Sequence, residues 1–212
     1  MIKRITGSAM LLFLFLVPAI GFCADTTQFY AGIMGGYVIP NDMKVNFAQP
    51  NVISPNYIEL NNGFLVGAKF GYNPNIAKKI LAVELEYNYQ YTGLNKDTST
   101  GRVLPSNFNI DFHTLFLNVI ARYPEGKIHP YVGVGGGLTY SQISEPPDGA
   151  PTSTDLSYQL LAGVDFDVVS NWSVGIVYKY FNVQPSFSWA DGHKSWPDYV
   201  SNNIVIGINY HF

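Results

Sequence analysis

Glu84 and Glu86 stand two residues apart in the stretch ILAVELEYNYQY, and Lys69, Arg122, Asp165 and Lys179 are set singly into other apolar stretches. Two carboxylates held close together are the usual equipment for general acid and base work, one protonated and the other ionised. The same six side chains, three acidic and three basic, also suit a plainer task. A charge placed in a protein interior needs an opposite charge beside it, so a balanced set predicts structural ion pairs. Other catalytic equipment is sparse. The four histidines, His113, His129, His193 and His211, include no pair at metal-ligand spacing, and the single cysteine, Cys23, lies near the N-terminus. No metal or cofactor site is expected.

The elements that must carry these charges are legible as alternation. In ILAVELEYNYQY, Leu81, Val83, Leu85, Tyr87, Tyr89 and Tyr91 share one face of a strand, and Ala82, Glu84, Glu86, Asn88 and Gln90 share the other. Residues 29–38, 63–72, 111–123, 130–140, 157–167, 172–181 and 202–212 read the same way. Each is near the roughly 9 to 11 residues that a tilted strand needs to cross a bilayer. The links at 39–62, 93–108, 142–154 and 183–199 are long, whereas those near 74–79, 124–127 and 168–171 are short. Loops sorted by length to opposite ends predict an all-β, eight-stranded antiparallel up-and-down transmembrane β-barrel, polar face inward, with both termini at the short-turn end.

Assigning faces in that barrel puts Lys69, Glu84, Glu86, Arg122, Asp165 and Lys179 in the lumen, all but Lys179 in the half near the short turns. Above them the inward set Phe112, Phe116, Leu161, Phe181 and Val205 is apolar, and either fills space or lines a small pocket for an apolar ligand. The link SFSWADGHKSWPDY carries Trp189, Trp196 and Tyr199, expected in an aromatic girdle at the membrane surface. Another link holds Glu145, Asp148 and Asp155 without a basic residue, an acidic stretch expected mainly to be solvated, with the binding of divalent cations as the alternative.

Composition bounds the class. Lys3 and Arg4 precede an apolar run from Ala9 to Ile20 that is too short to cross a bilayer and ends in small residues. Residues 1–24 are therefore expected to be a secretory signal, cleaved after Cys23 or Ala24, with the barrel domain over 25–212. Its removal leaves ten of the twelve Lys and Arg residues against fifteen acidic ones, a net charge of −5 that argues against a nucleic-acid partner. The chain is 47% hydrophobic, with fifteen tyrosines and fourteen phenylalanines, yet beyond the signal its apolar residues are dealt out alternately rather than in helix-length runs.

The C-terminal stretch NNIVIGINYHF keeps strand rhythm to its last residue, with Ile206, Ile208, Tyr210 and Phe212 on one face. Together with HPYVGVGGGL at 129–138 and NWSVGIVYKY at 171–180, it resembles the small outer-membrane β-barrel family that includes OmpA-type, OmpX-type and opacity-like proteins of Gram-negative bacteria. OmpW-type barrels share the PYVG strand and the terminal aromatic. The resemblance implies residence in the bacterial outer membrane with periplasmic termini. It also implies contact with outer-membrane lipid and lipopolysaccharide, and a terminal strand read by the barrel-assembly machinery. The role implied is a non-enzymatic surface or envelope one, with any host or envelope ligand held at four extracellular loops. Two alternatives accompany it: an OmpW-like barrel that binds or passes small apolar compounds, and a lipid-modifying outer-membrane enzyme. Lipid A deacylases, which are similar in size and architecture, would want an outward His with a Ser two residues on; here His113 is followed by Thr114 and Leu115.

Overall fold

The computed structural model describes residues 29–47, 56–74, 80–97, 102–103, 108–144, 151–188 and 194–212, and its regular elements are all β-strands. The expected signal segment, its cleavage position, Glu145, Asp148, Trp189 and His193 lie outside the described residues. The strands are β1 (Phe29–Pro40), β2 (Met43–Phe47), β3 (Asn56–Leu60), β4 (Gly63–Tyr72), β5 (Leu81–Asp97), β6 (Arg102–Val103), β7 (Asn109–Arg122), β8 (Ile128–Ser144), β9 (Thr152–Val169), β10 (Trp172–Val183), β11 (Phe187–Ser188) and β12 (Lys194–His211).

Eight of them, β1, β4, β5, β7, β8, β9, β10 and β12, form a closed antiparallel ring, because β1 pairs on one side with β4 and on the other with β12. Closure leaves no row of unpaired N–H and C=O groups, which hydrocarbon could not satisfy. Tyr30 lies opposite His211, and the Phe212 amide donates to the Phe29 carbonyl at 3.0 Å, so the last residue is tied to the first strand.

Alternation decides what faces where. Leu81, Val83 and Leu85 are exposed, and Ala82, Glu84, Glu86, Asn88 and Gln90 are buried. Exposed Ile33, Phe70, Leu117, Val134, Leu160 and Ile206 continue the outer apolar belt around the ring. At the short-turn end Gly126, with φ of 83°, takes the left-handed conformation that lets β7 return as β8.

The wall is taller than the sequence predicts. The links expected at 93–108, 142–154 and 183–199 are partly strand, since β5 continues to Asp97, β8 to Ser144 and β12 begins at Lys194. The first long link holds β2 and β3, which pair with each other and with the upper ends of β12 and β5. The reason is burial. Inside this upper wall Met43, Val45, Leu94, Ile110, Ile143, Val183 and Phe187 pack into one core, contributed by segments whose polar outer residues had marked them as loop. Tyr199 belongs there too. It is fully buried against Phe112, ring centres 4.4 Å apart, which corrects its expected place in the outer girdle.

Candidate functional site: a filled lumen

The six charged side chains all point inward, and each acid meets a base. Lys179 reaches across the lumen from β10 to Glu86 on β5, Nζ to Oε1 at 2.7 Å, and both side chains are almost fully buried. This corrects the expected separation of Lys179 from the other charges. Strand tilt shifts the height of facing walls, so counting along the chain from the turns misplaces a residue on the far side. Lys69 pairs with Glu84 at 3.2 Å and Arg122 with Asp165 at 3.6 Å.

Neutral donors complete the lower lumen. The Asn118 amide donates to Glu84 at 3.1 Å and to Glu86 at 3.2 Å. Gln159 donates to Glu86 at 3.1 Å and to the Asn118 carbonyl at 2.8 Å, and the Tyr30 hydroxyl donates to Glu84 at 2.9 Å. Charges with this many partners are neutralised where they stand, as a low-dielectric interior requires. Each glutamate is thus held by one ammonium and by neutral donors around it.

Inward glycines make the room. A methyl group at Gly135 would strike the Asn118 side chain, one at Gly175 the Asp165 carboxylate, and one at Gly71 the Tyr30 ring. Sequence reasoning missed this fit, although the signal was present: glycines recur in strands opposite large polar residues.

The five expected pocket residues divide. Phe112, Phe116 and Phe181 join the upper core, whereas Leu161 and Val205 pack lower, with Met34, Leu65, Ile120 and Val177. Among the described residues, one cavity lies beside Lys69, Glu84, Glu86 and Lys179, and another between Asn88, Thr114, Phe116 and Asn203. Each is about 10 Å³, room for about one water molecule. Polar residues bridge the two zones: Asn203 donates to Gln90 at 3.2 Å, and Gln90 donates to the Tyr199 hydroxyl at 2.7 Å.

Histidines line the short-turn rim. His129 lies 2.9 Å from the Asp167 carboxylate and 2.9 Å from the Tyr123 carbonyl, and His211 lies 3.0 Å from the Ser173 hydroxyl. Among the described residues, no group of three His, Cys, Asp or Glu side chains is placed to hold a metal. His113 instead faces outward beside Tyr87 and Tyr89.

A closed ring with an apolar belt outside and paired charges inside defines an outer-membrane β-barrel. The chain belongs to the outer membrane protein β-barrel domain family, whose sequence model matches residues 9–212. No curated protein matches the sequence at a significant level. Among solved structures, the chain is similar to Neisserial surface protein A, at 17% identity and a TM-score of 0.55, over 87% of this chain and 97% of that one. It is similar to OprG from Pseudomonas aeruginosa, at 14% identity and a TM-score of 0.53, over 88% of this chain and 98% of that one. The third is AlkL in lipid bilayers, at 16% identity and a TM-score of 0.56, over 89% of this chain and 92% of that one. At such identities the likeness concerns the fold.

Proposed function

We propose that the protein is a non-enzymatic, non-conducting barrel of the outer membrane, oriented with its termini in the periplasm and its long loops outward. Its role would lie at the outer surface, where the loops and the tall upper wall meet an envelope or host ligand. One observation carries the reading: among the described residues the lumen holds ion pairs below and a packed apolar core above. An ion crossing it would have to part Lys179 from Glu86 and then enter the core around Phe112 and Tyr199, where nothing replaces its water. Paired, fully bonded carboxylates likewise speak against acid–base catalysis in the lumen.

The test is steady conductance of the purified barrel in planar bilayers. No reproducible channel is expected for the wild type, nor for Phe112→Ala, which thins only the upper barrier. Stable wild-type openings would overturn the reading in favour of transport, as would uptake of an apolar compound abolished by Phe116→Asp.

A further inference from the structure

Four rows of outward residues cross β5, β7 and β8, and their chemistry changes from row to row. The lowest is Tyr87, Leu115 and Leu138; next come Tyr89, His113 and Tyr140; then Tyr91, Asp111 and Gln142; and last Gly93, Asn109 and Ser144. Leu115 and Leu138 are exposed, so the apolar belt ends between the first row and the second. Polar groups just above that line are already organised. The Tyr87 hydroxyl and His113 Nδ1 are 2.8 Å apart, Tyr89 donates to Asp111 at 2.7 Å, and Ser144 donates to the other carboxylate oxygen at 3.2 Å. The His113 ring is 5.0 Å from that of Tyr89 and 6.2 Å from that of Tyr140.

We propose that this outward patch of Tyr87, Tyr89, His113, Tyr140 and Asp111 binds the saccharide headgroup of a membrane glycolipid. Adjoining aromatic rings offer apolar surface to the C–H face of a sugar. A carboxylate fixed by two hydroxyl donors keeps lone pairs for sugar hydroxyls, and a charged acceptor makes the stronger bond. The contact with Tyr87 occupies Nδ1 of His113, so a sugar hydroxyl would use its second imidazole nitrogen. The exposed leucines directly below continue as a seat for the acyl chains. Charge selects against a phosphate headgroup, because these four rows hold one carboxylate and no Lys or Arg.

The proposal rests on membrane residence, and on the long-loop end facing the leaflet that carries the glycolipid. Nanodiscs separate it from the orientation, since both of their leaflets have the same composition. The barrel is placed in phosphatidylcholine nanodiscs containing equal amounts of a monoglycosyl diacylglycerol and a phosphatidylglycerol with the same chains. Retained lipid is then counted by native mass spectrometry. The wild type is expected to keep the glycolipid about tenfold over phosphatidylglycerol, the scale of one charge-assisted hydrogen bond. Asp111→Asn and His113→Leu should bring the two lipids to parity, while Tyr158→Leu, a girdle change elsewhere, should leave the preference intact. Folding is checked by the faster gel migration of unboiled samples, and Asp111→Asn decides if His113→Leu does not fold. Equal retention by the wild type, or a preference surviving Asp111→Asn, would overturn the proposal and leave an ordinary aromatic girdle. Protease cleavage of the long loops on whole cells tests the orientation by itself.

Discussion

Lys179 is the lumen residue whose removal should be felt most. Its ammonium is the only cation within ion-pair distance of Glu86 among the described residues, and both side chains are shielded from solvent. Lys179→Met leaves a buried carboxylate held by neutral amides alone, and should destabilise the barrel by about 3–5 kcal/mol in urea titrations of the lipid-refolded protein. Adding Glu86→Gln should restore much of that loss, because an uncharged amide needs no counter-ion. Arg122→Ala should cost less, since its pair with Asp165 is longer, at 3.6 Å, and closer to the rim. A cost as large at Arg122 as at Lys179 would contradict this ranking. The sequence revealed which charges face inward, because period-two alternation settles that residue by residue. It did not reveal who pairs with whom. Partners such as Lys179 and Glu86 stand on opposite walls, and their relative height depends on a strand tilt that no local pattern encodes.

At the level of the strand, two neighbouring glycines on β8 make a paired test. An added methyl group at Gly135 points inward and strikes Asn118, which hydrogen bonds to Glu84, Glu86 and Gln159 keep from moving aside. At Gly136 it points outward and meets nothing within 4 Å. Gly135→Ala should therefore destabilise by about 1–3 kcal/mol, the usual range for overpacking. Gly136→Ala should be neutral, or stabilising by about 0.4–1 kcal/mol, because it restricts the unfolded chain. Equal effects would mean that the two faces are exchanged, as a one-residue slip would do. The eight wall segments were readable in sequence because an apolar face against lipid and a polar lumen give strict contrast. Their upper extensions were not. Above the belt both surfaces change character, so Leu94, Ile143 and Val183 stand inward among outward polar residues, the pattern of a soluble strand, interrupted by Gly and Pro.

Taken whole, the molecule stacks two barrel segments with opposite polarity. The lower is apolar outside and charged within; the upper is packed with Phe112, Phe181, Phe187 and Tyr199, and carries Asn109, Asp111, Gln142 and Ser144 on its outer face. Phe112→Ala should loosen the upper segment alone, so that limited proteolysis trims the long-loop end while a lipid-protected wall survives. Complete digestion would show that the segments fold as one unit. The terminal face of Ile206, Ile208, Tyr210 and Phe212 belongs to the lower segment, and Phe212 adds one backbone bond and an edge contact with Tyr210, ring centres 5.1 Å apart. Deleting Phe212 should cost about 1–3 kcal/mol in refolded protein, yet sharply reduce assembled barrel in cells if the assembly machinery reads that face. Equal loss in both settings would make it a matter of stability alone. The abrupt change from Leu115 to His113 and Asp111 on β7 also fixes how deep the barrel sits. One row is two residues, roughly 5 Å along the membrane normal for strands tilted by ~40°. Sinking by that distance would bring the His113 imidazole into hydrocarbon and the Asp111 carboxylate to its edge, and rising by it would expose leucines to water. Hydrophobic mismatch must then be absorbed by the lipid, and a bilayer thicker than the belt is expected to thin beside β5, β7 and β8 before the protein moves.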